Sequence, residues 1–429
     1  MRANVVWIAA AAAATLAMSW LGLYGFGWND YEVEALGSIE SLVHGHLGSF
    51  FAAAPVYGGS LLERAPFALA PSLWGGGDLA VYRMMALPCL LAGAGLGLWL
   101  RARVRSQGGG LLTQAVVLAL CVANPLTLAA LEIGHPDELL GGSLCVTAVL
   151  LAARGRPAWA GLALGAAFAN KQWAVLALGP VLLALPGRRM LCVSVAAAVG
   201  GALLAPFFLF APGSFTAATQ VAASPDSRIF QPWQLWWFLG HHGHVVRGLF
   251  GAIKPGYRTA PGWIGPISHP LIVMVALPLV GGAWLRLRSA ARHGAPAGAG
   301  QPEGGAREGS ALLLLALLLL LRCMLDTWDV VYYPLPFVLA LGAWEALALR
   351  RVPVLAFASS VAVWAEWLWL PSFASADIQA AFFAAWSVPL ASGLALALYA
   401  PGRLAALVHR GEALGRPREH LVPALGDER

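Results

Sequence analysis

Twelve apolar segments, most near membrane-spanning length, constrain this chain more than any other feature. They lie at about 4–26, 80–100, 111–131, 138–153, 157–170, 173–187, 190–210, 266–285, 310–325, 332–349, 352–370 and 379–400. A bilayer core about 30 Å thick takes roughly 20 helical residues to cross. Backbone amides in lipid must find partners inside the chain, and a helix supplies them locally. The sequence therefore predicts an all-α fold, a polytopic transmembrane helical bundle of about 12 spans. Composition agrees: charged residues are only 11% of the chain, where a soluble domain carries about 25%. The fifth and sixth segments are short and read as two crossings, a re-entrant pair, or one long broken helix.

Lys and Arg near segment ends set the orientation. Arg101, Arg103 and Arg105 follow the second segment, Arg154 and Arg156 the fourth, and Arg188 and Arg189 the sixth. Arg286, Arg288 and Arg292 follow the eighth, Arg350 and Arg351 the tenth, and Arg403 and Arg410 the last. Counting from Arg2, every second connection is basic. Both termini are then cytoplasmic, and 157–187 divides into two crossings, because one crossing would invert every later loop. The formal net charge of +6 is mostly this bias and says little about nucleic acid. The first segment exceeds a signal-peptide core of roughly 7–15 residues, so it reads as a retained span. The five cysteines lie in or at the ends of apolar segments without CxxC spacing. They read as core residues, neither disulfides nor metal ligands.

The connections divide the chain. Residues 1–285 form an N-terminal transmembrane catalytic module with long outer loops at 27–79 and 211–265. A Gly/Pro/Ala-rich stretch, 286–309, reads as a flexible cytoplasmic linker. Residues 310–400 are C-terminal transmembrane helices, and 401–429 a basic cytoplasmic tail. In the first loop Val33, Leu36, Ile39, Val43 and Leu47 recur at helical spacing, predicting a surface helix over Tyr31–Phe51. At its start stands Gly27-Trp28-Asn29-Asp30-Tyr31-Glu32-Val33-Glu34. Carboxylates here complement a helix dipole. At a lipid–water boundary, desolvation also raises their basicity, which suits a general base.

The acid at the outer end of a first span and the long first loop with its surface helix form a pattern. To it belongs Gly134-His135-Pro136-Asp137-Glu138-Leu139, followed by a helix, the turn Arg154-Gly155-Arg156-Pro157 and an apolar stretch ending in Asn170-Lys171-Gln172. Together they resemble the C-type glycosyltransferase superfamily, over about residues 1–260. The branch most similar is that of bacterial polyprenyl-phosphate-mannose mannosyltransferases. The resemblance implies a multi-pass enzyme of the bacterial plasma membrane with its active site on the outer face. It implies inverting transfer of a mannose-like hexose from a polyprenyl-phosphate carrier to a glycan, glycolipid or protein acceptor. It also implies a catalytic carboxylate after the first span. Asp30 matches that position, with Glu32 and Glu34 as competitors.

Such a reaction needs a base for the acceptor hydroxyl, positive charge or donors at the departing phosphate, and aromatic platforms for sugars. Lys171 is the candidate phosphate contact; its alternative is a lysine snorkelling to the interface. His135, Asp137 and Glu138 open the fourth segment and fit a helix start, with His135 also a candidate substrate contact. Arg228, Trp233, Gln234 and Arg258 in the second long loop suit phosphate and sugar, while Trp236-Trp237 reads as an interfacial belt. Arg322, four residues before Asp326, reads as its ion-pair partner. Neither His135-x-Asp137 nor His241–His244 forms a convincing ligand set, so no metal site is assigned. No cofactor is expected beyond the donor lipid, and divalent-metal dependence is not expected. The partners expected are the bilayer, the donor lipid and the acceptor, with no nucleic acid. The competing readings are a twelve-span secondary transporter and a polymerase or ligase of lipid-linked glycans.

Overall fold

The computed structural model describes residues 2–21, 30–223, 231–243, 245–247, 253–292 and 303–403. It contains helices and no strand among them, only two isolated bridges in the 241–259 region. In chain order the first helices are α1 (Arg2–Leu21), α2 (Leu36–Val43), α3 (Leu47–Ala53) and α4 (Gly58–Leu69). Next come α5 (Asp78–Ser106), α6 (Leu111–Val122), α7 (Pro125–Ile133), α8 (Asp137–Ala153) and α9 (Pro157–Asn170). A 3-10 stretch, Gln172–Ala177, then leads into α10 (Leu178–Ala184), α11 (Arg189–Phe210) and α12 (Pro212–Ala223). The last five are α13 (Ile264–Arg292), α14 (Glu303–Leu325), α15 (Leu335–Leu347), α16 (Val354–Leu368) and α17 (Ala376–Tyr399).

Two ends of the bundle are chemically distinct. At one, Arg101 and Arg105 donate to Asn4 near the start of α1, Arg103 pairs with Glu308 on α14, and Arg351 pairs with Glu345 on α15. At the other lie the turn over Asp30–Ala35, the α7–α8 turn, the α9–α10 connection and the α14–α15 loop. The short pair resolves into two crossings. Lys171, between them, meets Asp137 at the carboxylate-bearing end, while Pro186 and Gly155 meet at the arginine end. Seven helical segments among the described residues are long and apolar enough to cross a membrane. α8, α9 and α15 and the 172–184 stretch make shorter traverses inside the bundle.

Helix α14 runs through the centre, with 83% of its apolar window buried. Helices α11 and α13 are peripheral, at 11% and 17%. Their outward Leu, Met and Phe side chains would be a large apolar patch in water and are ordinary surface in lipid. Packing in lipid relies on close backbone approach at small residues. Gly161 and Gly165 of α9 show it: a Cβ there would stand 2.4 Å from the Cys192 carbonyl and 2.5 Å from that of Ala196 on α11. All five cysteines are buried and free.

Three local expectations change. The segment 111–131 is interrupted, because Asn124 caps α7 by accepting from the Leu126 amide at 2.9 Å, with Pro125 at the first helical position. The Tyr31–Phe51 helix is broken: a π-turn over Tyr31–Ala35 shifts the helical register, and Gly45 (φ 78°) ends α2 before α3. Ile39 and Leu42 are consequently buried, but Val33 and Leu47 are exposed. In the Gly/Pro/Ala-rich stretch, α13 continues to Arg292 and α14 begins at Glu303. Helices α14 and α15 then pack against α8.

Candidate active site

The α7–α8 turn builds the centre of the carboxylate-bearing end. Gly134 closes α7 with φ 113°, a left-handed conformation that L side chains disfavour. Its Cα also faces Tyr31, so an added Cβ would stand 2.4 Å from the Tyr31 amide nitrogen. This contact seats the turn carrying Asp30 and Glu34 beside His135. Gly134→Ala is expected to cost at least about 1–2 kcal/mol from backbone strain alone and to displace that turn. A lowered melting temperature together with lost activity is the expected outcome; unchanged activity would count against the assembly.

His135 is the hub. Its Nε2 faces Asp30 at 3.4 Å and Glu34 at 3.8 Å, and its Nδ1 faces Asp137 at 3.6 Å. Its ring packs against Tyr57 and Tyr332, with centroids at 5.3 and 4.8 Å. Asp30 and Glu34, four apart on one helical face, can both reach it; Glu32 lies between them and is directed elsewhere, half-buried. The Tyr57 hydroxyl donates to Glu34 Oε2 at 2.6 Å. Asp30 and Glu34 are both more than 40% exposed at the side chain, whereas His135 is buried, so the carboxylates form the open wall.

Behind His135 stands a buried ion pair. Lys171 Nζ lies 2.8 Å from Asp137 Oδ2 and 4.0 Å from the centroid of the Tyr57 ring. Helix α9 ends at Asn170, and Lys171 is extended, which turns the lysine inward. Asn170 donates to the Asp137 carbonyl at 2.8 Å, and Gln172 to the Val56 carbonyl at 2.7 Å, tying this connection to α8 and to the segment before α4. The carboxylate of Asp137 sits in the first turn of α8, where the helix dipole favours it.

The His135 imidazolium is held up to about 9. Burial and the Lys171 charge both push it down; hydrogen bonds to Asp137 and Asp30, with the Asp137 charge, prevail. The stabilisation this provides is complete below the ordinary value of 6.5 and is lost as pH rises through about 9. The purified chain in detergent is expected to melt progressively lower across that window. His135→Gln should flatten the dependence; an unaltered slope in the variant would assign the titration elsewhere.

A second cluster adjoins the first. Glu138 Oε1 accepts from Trp173 Nε1 at 3.1 Å and from Arg322 at 3.4 Å. The Arg322 guanidinium stacks between Trp173 and Tyr333, 4.7 and 4.4 Å from their centroids. This corrects the expected Arg322–Asp326 pair. Helix α14 ends at Leu325, so Asp326 departs from the helical face and meets His269 at 3.4 Å instead. Asp137 and Glu138 thus do more than start a helix: each holds a buried cation.

The second long loop is placed differently. Trp233 donates to the Asp329 carbonyl at 2.5 Å and Gln234 to the Thr327 carbonyl at 3.0 Å, both buried. Trp236 and Trp237 are also buried, donating to the Leu325 carbonyl and to Asp377, so they anchor the loop and do not form a lipid-facing belt. Arg258 pairs with Asp377 at 2.9 Å, apart from the His135 cluster. Arg228 and His244 lie outside the described residues. Sequence reasoning passed over Tyr57, whose signal was the adjoining Gly58-Gly59 pair: a Cβ on Gly59 would stand 2.3 Å from the Ala169 carbonyl at the end of α9. It also passed over Arg64, buried in α4, with Nε donating to the Ser60 carbonyl at 3.0 Å.

Asp30, Glu34 and His135 each present a ligand atom within 4.8 Å of the others, a set that suits a divalent ion. The Lys171 ammonium 3.4 Å from the ring places a positive charge beside the same set. The model of glycosyltransferase family 87 matches residues 59–300. The chain belongs to glycosyltransferase family 87. No curated protein matches it, and no solved structure does. It is a membrane glycosyltransferase, and the transporter reading falls. The matched residues of this family-87 enzyme include His135, Asp137, Glu138 and Lys171, and begin after Asp30, Glu34 and Tyr57.

Proposed function

We propose that the enzyme moves a hexose, mannose-like, from a polyprenyl-phosphate carrier to an acceptor on the non-cytoplasmic face, as in the mannosyltransferase branch it resembles. One observation carries the reading: Asp30, Glu34, His135 and Lys171 converge at the bundle end opposite Arg101, Arg103, Arg105 and Arg351. Arginines favour the cytoplasmic side, so the cluster belongs at the outer surface, where a lipid-borne donor and a bulky acceptor can meet.

In the proposed reaction Asp30 takes the acceptor hydroxyl proton. The acceptor oxygen bonds to the anomeric carbon as the bond from that carbon to the phosphate oxygen breaks. Attack from the opposite face inverts the centre. The His135 imidazolium orients Asp30 from 3.4 Å. Glu34, fixed by Tyr57, supports the same imidazolium. The leaving polyprenyl phosphate gains charge, and Lys171, whose ammonium is ion-paired with Asp137 and carries three donors, can offer donors to it. No metal is required in this scheme. The proposal rests on these four residues. Trp233 and Gln234 are engaged by the 327–329 backbone, and Arg258 by Asp377.

The test supplies membranes containing the enzyme with labelled polyprenyl-phosphate mannose or with the nucleotide sugar, in the presence of a chelator. Transfer from the lipid donor alone is the expected result. Transfer only from the nucleotide sugar, or loss on chelation, would overturn the donor or the metal-free part respectively.

A further inference from the structure

A polar cavity lies at the end of the bundle opposite the His135 cluster. It encloses about 270 Å³ and is lined in part by Arg103, Gln107, Arg154, Gly305, Glu308 and Arg350. That is room for several waters or one phosphate-sized group with its attachments. Three guanidinium groups meet one carboxylate there. Glu308 is taken by Arg103 in a fork, at 2.9 Å to Oε1 and 3.3 Å to Oε2. No carboxylate pairs with Arg154 or Arg350 among the described residues.

The arrangement is built rather than incidental. Arg154 ends α8 and stacks its guanidinium over Trp99 at 4.7 Å, which fixes its direction beside the cavity. Arg350 follows α15 with φ 54°, a position where glycine is usual and any other residue costs about 1 kcal/mol or more. Planar guanidinium groups recognise phosphate oxygens by paired hydrogen bonds. Leu347, buried, and Ala348 also line it, and the exposed Leu349 beside them offers apolar surface along which an acyl chain could lie.

We propose that this cavity binds a phosphate-bearing anion, held by Arg154 and Arg350 with the Arg103–Glu308 pair as its floor. The shared chemistry is a phosphate mono- or diester, supplied by an anionic phospholipid headgroup or by free phosphate. Basic pockets between membrane helices are suited to such headgroups. The site is remote from the His135 cluster and independent of the proposed transfer reaction.

Two measurements on the purified full-length chain decide it. Native mass spectrometry compares retention of phosphatidylglycerol and phosphatidylcholine, and melting in detergent is followed with and without millimolar inorganic phosphate. The Arg154→Gln/Arg350→Gln variant removes the two unpaired cations and leaves every ion pair intact. If a headgroup is the ligand, phosphatidylglycerol is retained preferentially, and the variant loses that preference about tenfold or more. If free phosphate is the ligand, phosphate raises the melting temperature of the wild type alone while the two lipids are retained equally. Equal lipid retention without a phosphate effect, or a preference or effect that persists in the variant, would overturn the proposal. Wild-type melting of the variant without ligand confirms that it folds.

Discussion

Asp30→Asn is expected to lower transfer by about 10²–10⁴-fold, the range a positioned general base contributes. The amide keeps the shape and can still accept from His135, 3.4 Å away, so donor binding should persist and the loss should fall on kcat. Glu34→Gln removes a charge near His135 but preserves an acceptor for the Tyr57 hydroxyl, and a decrease of about tenfold is expected. The ordering of the two variants is the discriminating result. A collapse in Glu34→Gln with near-normal Asp30→Asn would move the base to Glu34. Full activity in both would remove the acidic turn from catalysis.

Lys171→Met is expected to destabilise the protein by up to about 3–5 kcal/mol, the cost of leaving one member of a buried pair uncompensated, reduced by the His135 imidazolium that still faces Asp137 at 3.6 Å. Asp137 is fully buried and Lys171 nearly so. Neutralising both, as Lys171→Met/Asp137→Asn, should restore much of the melting temperature, because a neutral pair of similar size has little left to desolvate. Transfer should remain absent in the double variant if the ammonium also contacts the departing phosphate. Recovery of both stability and activity would make Lys171 purely structural. Wild-type melting of the single variant would show that the pair is not buried as described.

Much of the architecture could be read along the chain. Apolar length and the arginines at segment ends marked out the helical segments, including the short pair over 157–187. The acidic turn at Asp30 and the lysine at the end of α9 were recognisable because a charge in such a chain needs a reason. Pairings were less legible. The helical spacing of Arg322 and Asp326 predicts a contact, but the helix ends between them and each finds a partner on another element. Trp236 and Trp237 have the composition of a membrane belt, yet their indole N–H groups are used inside the protein. The amphipathic pattern over Tyr31–Phe51 carries no mark of the π-turn that shifts its register.

By itself the sequence determined the class of fold and singled out the acidic turn and the lysine that the site is built from. Those properties depend on hydropathy, length and charge, which act over a single segment. Only the tertiary structure decided that Asp30 and Glu34 share His135, that Tyr57 holds Glu34, and that Asp137 holds Lys171. These residues come from separate parts of the chain and meet because α4 approaches α9 at Gly59, α8 approaches α9 at Gly141, and Gly134 abuts Tyr31, each with no room for a side chain. Such contacts are set by how helices pack, and no periodicity within one helix records them.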